Sequence, residues 1–187
     1  MVQRMLGPEP AGYYSVATAL GELVMLIGAT IGSVLFPRLS ATPDDVAKWR
    51  LTKRALLAVV LAMVPVAATA VLLADPLIRV LFGGAFSPAT AAFVSLMPGI
   101  LFLGIQVVAV QFLNSIGFPK EVVVVWAGAL ALNIVLNFHM IPTYGIVGAS
   151  VTASLTYVFV FLGILIIIAR RIYAERRIAE REHLRPY

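Results

Sequence analysis

A few polar side chains stand inside long apolar stretches of this sequence, and Glu22 is the most informative of them. It is the only carboxylate within such a stretch. Because a charge in hydrocarbon is costly, its side chain should face protein or water rather than lipid. Two interpretations stay open. Glu22 is either a cavity group that binds a coupling cation or a polar substrate, or a hydrogen-bonding residue between helices.

Side-chain amides form the second group of candidates. Asn133 and Asn137 are four residues apart and therefore share one face of a helix. Amides pair their donors and acceptors with sugar hydroxyls, but they also bond neighbouring helices, and we favour that packing role here. Gln111 and Asn114 share a face of another helix near its end. With Glu22, these four amides are the candidates for lining a substrate or cation cavity.

Residue patterns that would indicate catalysis or metal binding are missing from the sequence. The chain has no cysteine, no Walker loop, no GxSxG motif and no HExxH motif. His139 has no second histidine or carboxylate in register with it. We therefore expect a protein that is not an enzyme and that holds neither a cofactor nor a metal ion.

The elements that must position these polar groups are membrane-spanning helices. Of the 187 residues, 61% are hydrophobic and 12% are charged, and the mean hydropathy is +0.98. Soluble domains carry about 25% charged residues, and a helix needs about 20 apolar residues to cross the hydrocarbon core. Five segments meet that length, at residues 13–37, 55–74, 91–113, 122–141 and 146–169. The sequence predicts an all-α polytopic transmembrane bundle of about five helices, in one domain over 1–187.

Glycine and proline indicate where these helices end, bend or approach one another. Tight turns are predicted at residues 117–120 and 142–145. Pro65 and Pro98 predict kinks inside their spans, which membrane helices tolerate when neighbours satisfy the freed carbonyl. Small residues spaced four or seven apart predict close helix packing, and they are Gly21, Gly28, Gly32, Ala149 and Ala153.

The basic residues predict the orientation of the helices. Lysine and arginine accumulate in cytoplasmic loops, and all of them except Arg4 and Arg79 fall on one side of the predicted topology. The N-terminus is then outside, and residues 170–187 form a basic cytoplasmic tail of a multi-pass protein of the cell membrane. Since the net charge of +5 comes from these loops, we expect no nucleic acid partner.

The order of the segments resembles that of a known family. GYYSVATALGELV and VLFPRLS resemble the eighth helix of bacterial and archaeal polysaccharide flippases, and PLIRVLFGGAFSPA resembles their next outer loop. LMPGILFLGIQVVAVQFLNSIGFPK is similar to their tenth helix, and LNIVLNFHMIPTYGIVGASVTASLTY to their eleventh and twelfth. The resemblance covers nearly the whole chain. It is to the C-terminal five helices of the polysaccharide biosynthesis (Wzx-type) branch of the multidrug/oligosaccharidyl-lipid/polysaccharide exporter superfamily.

The resemblance implies a flippase of about twelve helices in two six-helix bundles. Such proteins carry an isoprenoid-pyrophosphate-linked oligosaccharide to the outer leaflet, by alternating access between the bundles. The implied partners are membrane lipid, the lipid-linked oligosaccharide, and a missing N-terminal half-bundle or a second copy of the chain. That N-terminal half often carries the cations that bind the pyrophosphate. An external N-terminus without a signal peptide likewise leads us to expect a fragment or a miscalled start.

Three other functions stay open at this point. A cation-coupled drug or metabolite exporter of the same superfamily would use Glu22 as its cation site. A membrane-embedded glycosyltransferase or polymerase would show sugar-transfer activity. A structural membrane subunit would need only the small-residue helix faces. We expect that the chain alone does not transport, because one helix and half of the bundle pair would be missing.

Overall fold

The protein is a bundle of α-helices. The computed structural model describes the backbone of residues 1–117 and 119–183, and the side chains of residues 1–117 and 119–173. The helices are α1 (Val2–Leu6), α2 (Pro8–Ser40), α3 (Asp45–Leu72), α4 (Ala74–Phe82), α5 (Ala89–Ser115) and α6 (Lys120–His183). A 3-10 turn, Gly84–Phe86, precedes α5. No strand occurs in the described backbone, and the predicted all-α membrane bundle is confirmed.

Four of the described helices are long and apolar enough to cross a membrane, and they are Pro8–Ser40, Asp45–Leu72, Ala89–Ser115 and Lys120–Tyr173. The chain is therefore a multi-pass membrane protein. The predicted spans 13–37 and 91–113 lie within α2 and α5, and the span 55–74 runs from α3 into the start of α4. The spans 122–141 and 146–169 both lie within α6.

Helix α6 consists of two arms that fold back on each other at Gly145. The φ of 61° and ψ of −137° at this glycine break the helix. Asn133 and Thr156 are 23 residues apart, yet their side chains are hydrogen-bonded at 3.2 Å. A straight helix of that length would separate them by about 35 Å. The first arm, 120–144, and the second arm, 146–173, are therefore antiparallel, and the four long helices make five crossings.

Helix α5 lies at the centre of the bundle and packs against α2, α3 and α6. Gly28 of α2 approaches Gly104 so closely that an added Cβ would lie 2.6 Å from the Gly104 carbonyl oxygen. Met63 of α3 also contacts Gly104, and Ser154 of α6 hydrogen-bonds the Gly99 amide at 3.2 Å. Because glycine has no side chain, three neighbouring helices can reach the backbone of α5.

The same contacts give the direction of each helix. Helices α2 and α5 are parallel, because Gly21 lies against Leu96 near their beginnings and Gly32 lies against Val107 further along. The second arm of α6 is parallel to α5 as well, while α3 and the first arm run the opposite way. Crossings that are consecutive in the sequence thus alternate in direction, as five successive passages through a bilayer must.

One end of the bundle collects most of the described cations. The α2–α3 loop, the α5–α6 turn and the end of the second arm lie there. This basic end carries Arg38, Lys48, Arg50, Lys53, Arg54, Lys120, Arg170 and Arg171. Arg4 and Arg79 lie at the opposite end, with α1, α4 and the turn at Gly145. The remaining arginines of the predicted tail, at 176, 177, 181 and 185, lie outside the residues whose side chains are described.

Helix α4 is a short amphipathic helix within a segment that the sequence analysis treated as a loop. Ala74 and Ile78 are buried against α5, whereas Val80 and Leu81 are exposed. Nine residues are too few to cross a membrane. The helix therefore lies at the end of the bundle, with its apolar outer side continuing the lipid-facing surface of α3.

The polar side of α4 is a small network centred on Asp75. Arg79 Nε lies 2.7 Å from the carboxylate, and the Ser87 hydroxyl donates to it at 2.9 Å. These bonds hold the pKa of Asp75 below its ordinary value of 3.8. The bond from Arg79 has the largest effect, and the bond from Ser87 the next largest. This network ties α4 to the beginning of α5.

Candidate functional site

The glycines predicted to pack helices lie on one side of α2. Gly21, Gly28 and Gly32 are buried and face α5. The space beside Gly21 and Gly32 is tight but not closed, since an added Cβ would lie 3.2 Å from Ile100 and 3.4 Å from Val107. In the second arm of α6, Ala149 and Ala153 are also buried, and their role in packing stays a prediction.

The opposite side of α2, called the open face below, carries four exposed polar residues, which are Ser15, Glu22, Thr30 and Ser33. The three hydroxyls donate to carbonyl oxygens of their own helix. No hydrogen bond or ion pair reaches Glu22 from the part of the chain that the structure describes. An acidic group near the middle of α2 is therefore exposed and without a counter-charge.

Helix α6 supplies an ionisable neighbour of Glu22. The Tyr157 side chain of the second arm lies within electrostatic range of the Glu22 carboxylate, and Tyr14 lies within range of Tyr157. Tyr157 is half-buried and packs against the core that α2 shares with α5. Glu22 thus stands at the border where α2 meets α6. A carboxylate in this setting can bind a cation or accept hydrogen bonds from hydroxyl groups.

The asparagine pair of α6 is bonded within the hairpin. Asn137 donates to Asn133 at 2.9 Å, Asn133 donates to the Thr156 hydroxyl at 3.2 Å, and Thr156 donates to the Thr152 carbonyl at 2.8 Å. Asn137 is buried, at 9% exposure. This chain of hydrogen bonds joins the two arms of the hairpin, as expected for amides in a packing role.

Gln111 and Asn114, near the end of α5, form a third polar group that is separate from Glu22 and from the asparagine pair. Asn114 donates to Gln111 at 3.1 Å, and the Gln111 nitrogen would lie 3.5 Å from a Cβ added to Gly32. The Asn114 oxygen is buried without a hydrogen-bond partner among the described residues. The structure therefore does not gather the five predicted cavity residues, and only Glu22 lies on an exposed, unpaired polar surface.

Ser154 of α6, which was not among the predicted site residues, bonds the backbone of α5 around Pro98. The Ser154 hydroxyl donates towards the Ser95 and Leu96 carbonyls, at 2.8 and 3.2 Å. It also accepts the Gly99 amide at 3.2 Å. Proline removes one backbone donor and opens the helix, so a neighbouring hydroxyl is needed there in lipid. The proline predicted this need, and the alternation of Ser and Thr from 150 to 156 was the available signal for its source.

Other polar groups are buried in the middle of the bundle. Gln106 is 2% exposed, and Ser150 and Thr152 are fully buried. A side-chain oxygen of each has no hydrogen-bond partner within the described ranges. His139, in contrast, is exposed, with its Nδ1 3.0 Å from the Val135 carbonyl oxygen. The interior next to α6 is thus more polar than the apolar composition suggests.

Comparison with known proteins shows what this chain resembles. Residues 1–91 match the model of a family described as polysaccharide biosynthesis protein. A Shigella flexneri protein named "Putative O-antigen transporter" is 23% identical over 156 residues, covering 83% of this chain. The predicted resemblance to a polysaccharide biosynthesis flippase family is confirmed. The similarity is to membrane transport proteins, in agreement with the long apolar helices of this chain.

Two archaeal proteins extend this similarity to the family. The "Probable low-salt glycan biosynthesis flippase" of Haloferax volcanii is 23% identical over 152 residues, which is 78% of this chain. An uncharacterized membrane protein of Methanocaldococcus jannaschii is 26% identical over 156 residues, or 81% of this chain. The alignments cover 31%, 37% and 32% of the Methanocaldococcus, Shigella and Haloferax proteins. The chain therefore spans about a third of the length of the curated relatives it matches.

Proposed function

We propose that this chain forms one bundle of a flippase that moves isoprenoid-lipid-linked oligosaccharide across the cytoplasmic membrane during polysaccharide biosynthesis. The family match and the names of two relatives support a glycan substrate. The structural observation that carries the proposal is Glu22, which is exposed and unpaired near the middle of an otherwise apolar helix. Such a group is stable in a membrane only against water or a second protein surface.

A water-filled cavity is what the transported molecule requires. A sugar hydroxyl in hydrocarbon costs several kcal/mol when it has no hydrogen-bond partner. The open face of α2 offers one carboxylate and three hydroxyls along the length of the membrane, so it is suited to form one wall of a polar path. We propose that the other wall comes from a second bundle or a second copy of the chain. Alternating access then results from rocking of one bundle against the other.

The orientation is part of the same proposal. Cytoplasmic loops are rich in lysine and arginine, so we place the basic end of the bundle, and with it the tail after residue 170, in the cytoplasm. Helix α4 and the turn at Gly145 then lie at the outer surface. Transport of this kind makes and breaks no covalent bond, so the proposal includes neither catalysis nor a cofactor.

The test uses the absence of native cysteine, which allows single cysteines to be introduced directly. We expect Glu22→Cys and Ser33→Cys to react with a small polar maleimide in native membranes. Leu61→Cys is the matched control. Leu61 is 65% exposed on α3 and stands among apolar residues of that helix, so it should face lipid. If the open-face cysteines are as unreactive as Leu61→Cys, that face lies in lipid and the proposal is wrong.

A transport assay then tests the substrate. In cells whose surface polysaccharide depends on this protein, we expect Glu22→Gln to lower the surface polysaccharide and to leave lipid-linked oligosaccharide in the inner leaflet. Glu9→Gln is the control, since Glu9 lies at the start of α2 and already shares a hydrogen bond with Tyr13. Unchanged export in Glu22→Gln would remove this carboxylate from the cavity.

A second candidate, a cation-coupled exporter of small molecules, is favoured by one feature. Glu22 is a lone carboxylate without a counter-charge, which is a suitable site for Na⁺ or H⁺. In that case Glu22→Gln should abolish efflux of the small molecule and its dependence on the ion gradient. Surface polysaccharide should be unaffected by the same substitution, so the two assays separate the two functions.

A further inference from the structure

Two arginines line a cavity between α2 and α3 at the basic end of the bundle. Arg38 lies on the α2 side and Arg54 on the α3 side of a cavity of about 390 Å³. Its apolar floor includes Ile31, Val34 and Leu51, and Thr30 of the open face lines its edge. We propose that this cavity binds the phosphate of an anionic phospholipid, with an acyl chain lying along the apolar floor.

The depth of Arg54 gives the first argument. Helix α3 begins at Asp45, nine residues before Arg54, so this cation stands about 14 Å along the helix from its beginning. It is exposed there beside Val34 and Ala55. A long cationic side chain reaches towards the headgroup region while its methylenes stay on apolar surface. A lipid phosphate is the anion that this region supplies.

Charge complementarity gives the second argument. No carboxylate among the described residues pairs with Arg38 or Arg54. The acidic residues of the adjoining loop are engaged elsewhere. The Asp44 carboxylate accepts two backbone amides at the start of α3, and Asp45 pairs with Lys48 at 2.8 Å. The cavity therefore holds two positive charges that no described acid compensates, and guanidinium groups bind phosphate through paired hydrogen bonds.

A groove at the other side of the bundle shows why this cavity is singled out. That groove, of about 580 Å³, runs between the two arms of α6 and also ends in two arginines, Arg170 and Arg171. There Arg171 lies 3.7 Å from Glu121, which lines the same groove. An acid at the mouth opposes the binding of an anion. Of these two grooves, the one between α2 and α3 is the site with uncompensated charge.

The size of the cavity suits part of a phospholipid. About 390 Å³ accommodates a phosphate and the adjoining part of one acyl chain. The proposal does not depend on the function proposed above or on the orientation. It requires only that the basic end reaches the headgroups of one leaflet, as helices that cross the membrane must.

The experiment measures retention of phosphatidylglycerol by the purified full chain in phosphatidylcholine nanodiscs. Removing one arginine should weaken retention about fivefold, and Arg38→Gln/Arg54→Gln about thirtyfold, since each loss removes direct guanidinium–phosphate hydrogen bonds worth on the order of 1 kcal/mol. The matched control Arg50→Gln/Lys120→Gln removes the same charge from the same end but not from the cavity. It should retain phosphatidylglycerol within about twofold of the unmodified chain, because the bound phosphate keeps both of its direct partners.

A second variant tests the cavity without a change of charge. Val34→Trp should fill the apolar floor and weaken retention while both arginines stay in place. Equal losses in the cavity pair and the control pair would reduce the effect to net charge and overturn the site. Unchanged retention in the cavity pair would overturn it as well. If farnesyl diphosphate displaces the phospholipid completely at a lower concentration, the site belongs to an isoprenoid diphosphate and the phospholipid assignment is wrong.

Discussion

The open face of α2 and the hairpin of α6 treat the same kind of residue in opposite ways. In the hairpin, Asn137 donates to Asn133 and Asn133 donates to Thr156, so these amides interact within one chain and join its two arms. On α2, Glu22 is exposed and finds no partner in the described structure. A polar residue in an apolar helix thus predicts an interaction, and its surroundings decide whether that interaction is internal or external.

Helix α2 contains both situations on its two sides, and this contrast leads to the largest predicted effect. We expect Gly28→Ala to destabilise the bundle by about 1–3 kcal/mol, because the added Cβ would lie 2.6 Å from the Gly104 carbonyl oxygen. Gly12→Ala is the control, since an added Cβ there meets nothing within 4 Å. It should be neutral or should stabilise the helix slightly. Unfolding in detergent micelles, followed by helical circular dichroism, measures both. Equal stability of the two variants would contradict the packed side of α2.

The second prediction concerns the hydrogen bonds between Ser154 of α6 and the backbone around Pro98 of α5. Ser154→Ala should cost about 1–3 kcal/mol, because backbone groups opened near Pro98 lose their partner in a dry environment. Ser40→Ala is the control, since the Ser40 hydroxyl bonds only the Phe36 carbonyl of its own exposed helix end. The same unfolding assay applies. A double-mutant cycle of Ser154→Ala with Pro98→Ala should give a coupling energy clearly different from zero. Strictly additive effects would show that the role of Ser154 does not depend on the proline.

Substitution of a hairpin amide should affect stability, whereas substitution of Glu22 should affect export. Asn133→Ala should lower stability by about 1 kcal/mol, since it removes two hydrogen bonds of about 0.6 kcal/mol each, and should leave surface polysaccharide unchanged. Glu22→Gln should leave stability nearly unchanged and lower the surface polysaccharide. Both quantities are measured on both variants. Loss of export in a stable Asn133→Ala protein would place that amide in the cavity and would abolish the distinction.

The smallest effect is expected at Asp75, whose hydrogen-bond network with Arg79 and Ser87 lies outside the membrane. Its pKa is lowered in the folded protein, so the carboxylate adds stability above its unfolded pKa of about 3.9 and loses this contribution as the pH falls through the lower folded value. Asp75→Asn should therefore be slightly less stable than the unmodified chain at neutral pH, and the difference should shrink in strong acid. The effect is small because the Arg79–Asp75 pair is exposed. A difference that grows on acidification would contradict this sign.

The long helices were predictable from the sequence because hydrophobic length is a direct physical requirement of the bilayer. The turn at Gly145 was predictable too, since residues 142–145 combine proline with a glycine that adopts positive φ. Helix α4 was not predicted, because nine residues do not reach the length that identifies a span. The start of α3 at Asp45 was also missed, and this placed Arg54 in a loop instead of in a helix.

The candidate site was predictable only in part, for a reason that the polar residues make clear. Composition shows that Glu22 and Asn133 lie in apolar helices, but not which neighbour each one meets. The partner of Asn133 lies 23 residues away, and the hydroxyl that serves the kink at Pro98 lies more than 50 residues from it. Such pairings depend on how α5 and α6 are placed side by side, and no local pattern encodes that placement.

The backbone contacts of α5 have a mechanical consequence. Gly28 of α2 lies directly against the Gly104 backbone, and the Ser154 backbone of α6 lies against Gly99, whereas α3 reaches Gly104 through the Met63 side chain. Sliding of α2 or of the second arm of α6 past α5 would bring backbone atoms into collision. Any large motion during a working cycle must then carry α2, α5 and the second arm together, so two spin labels placed on α2 and on the second arm should report a fixed distance while distances to anything outside the bundle change.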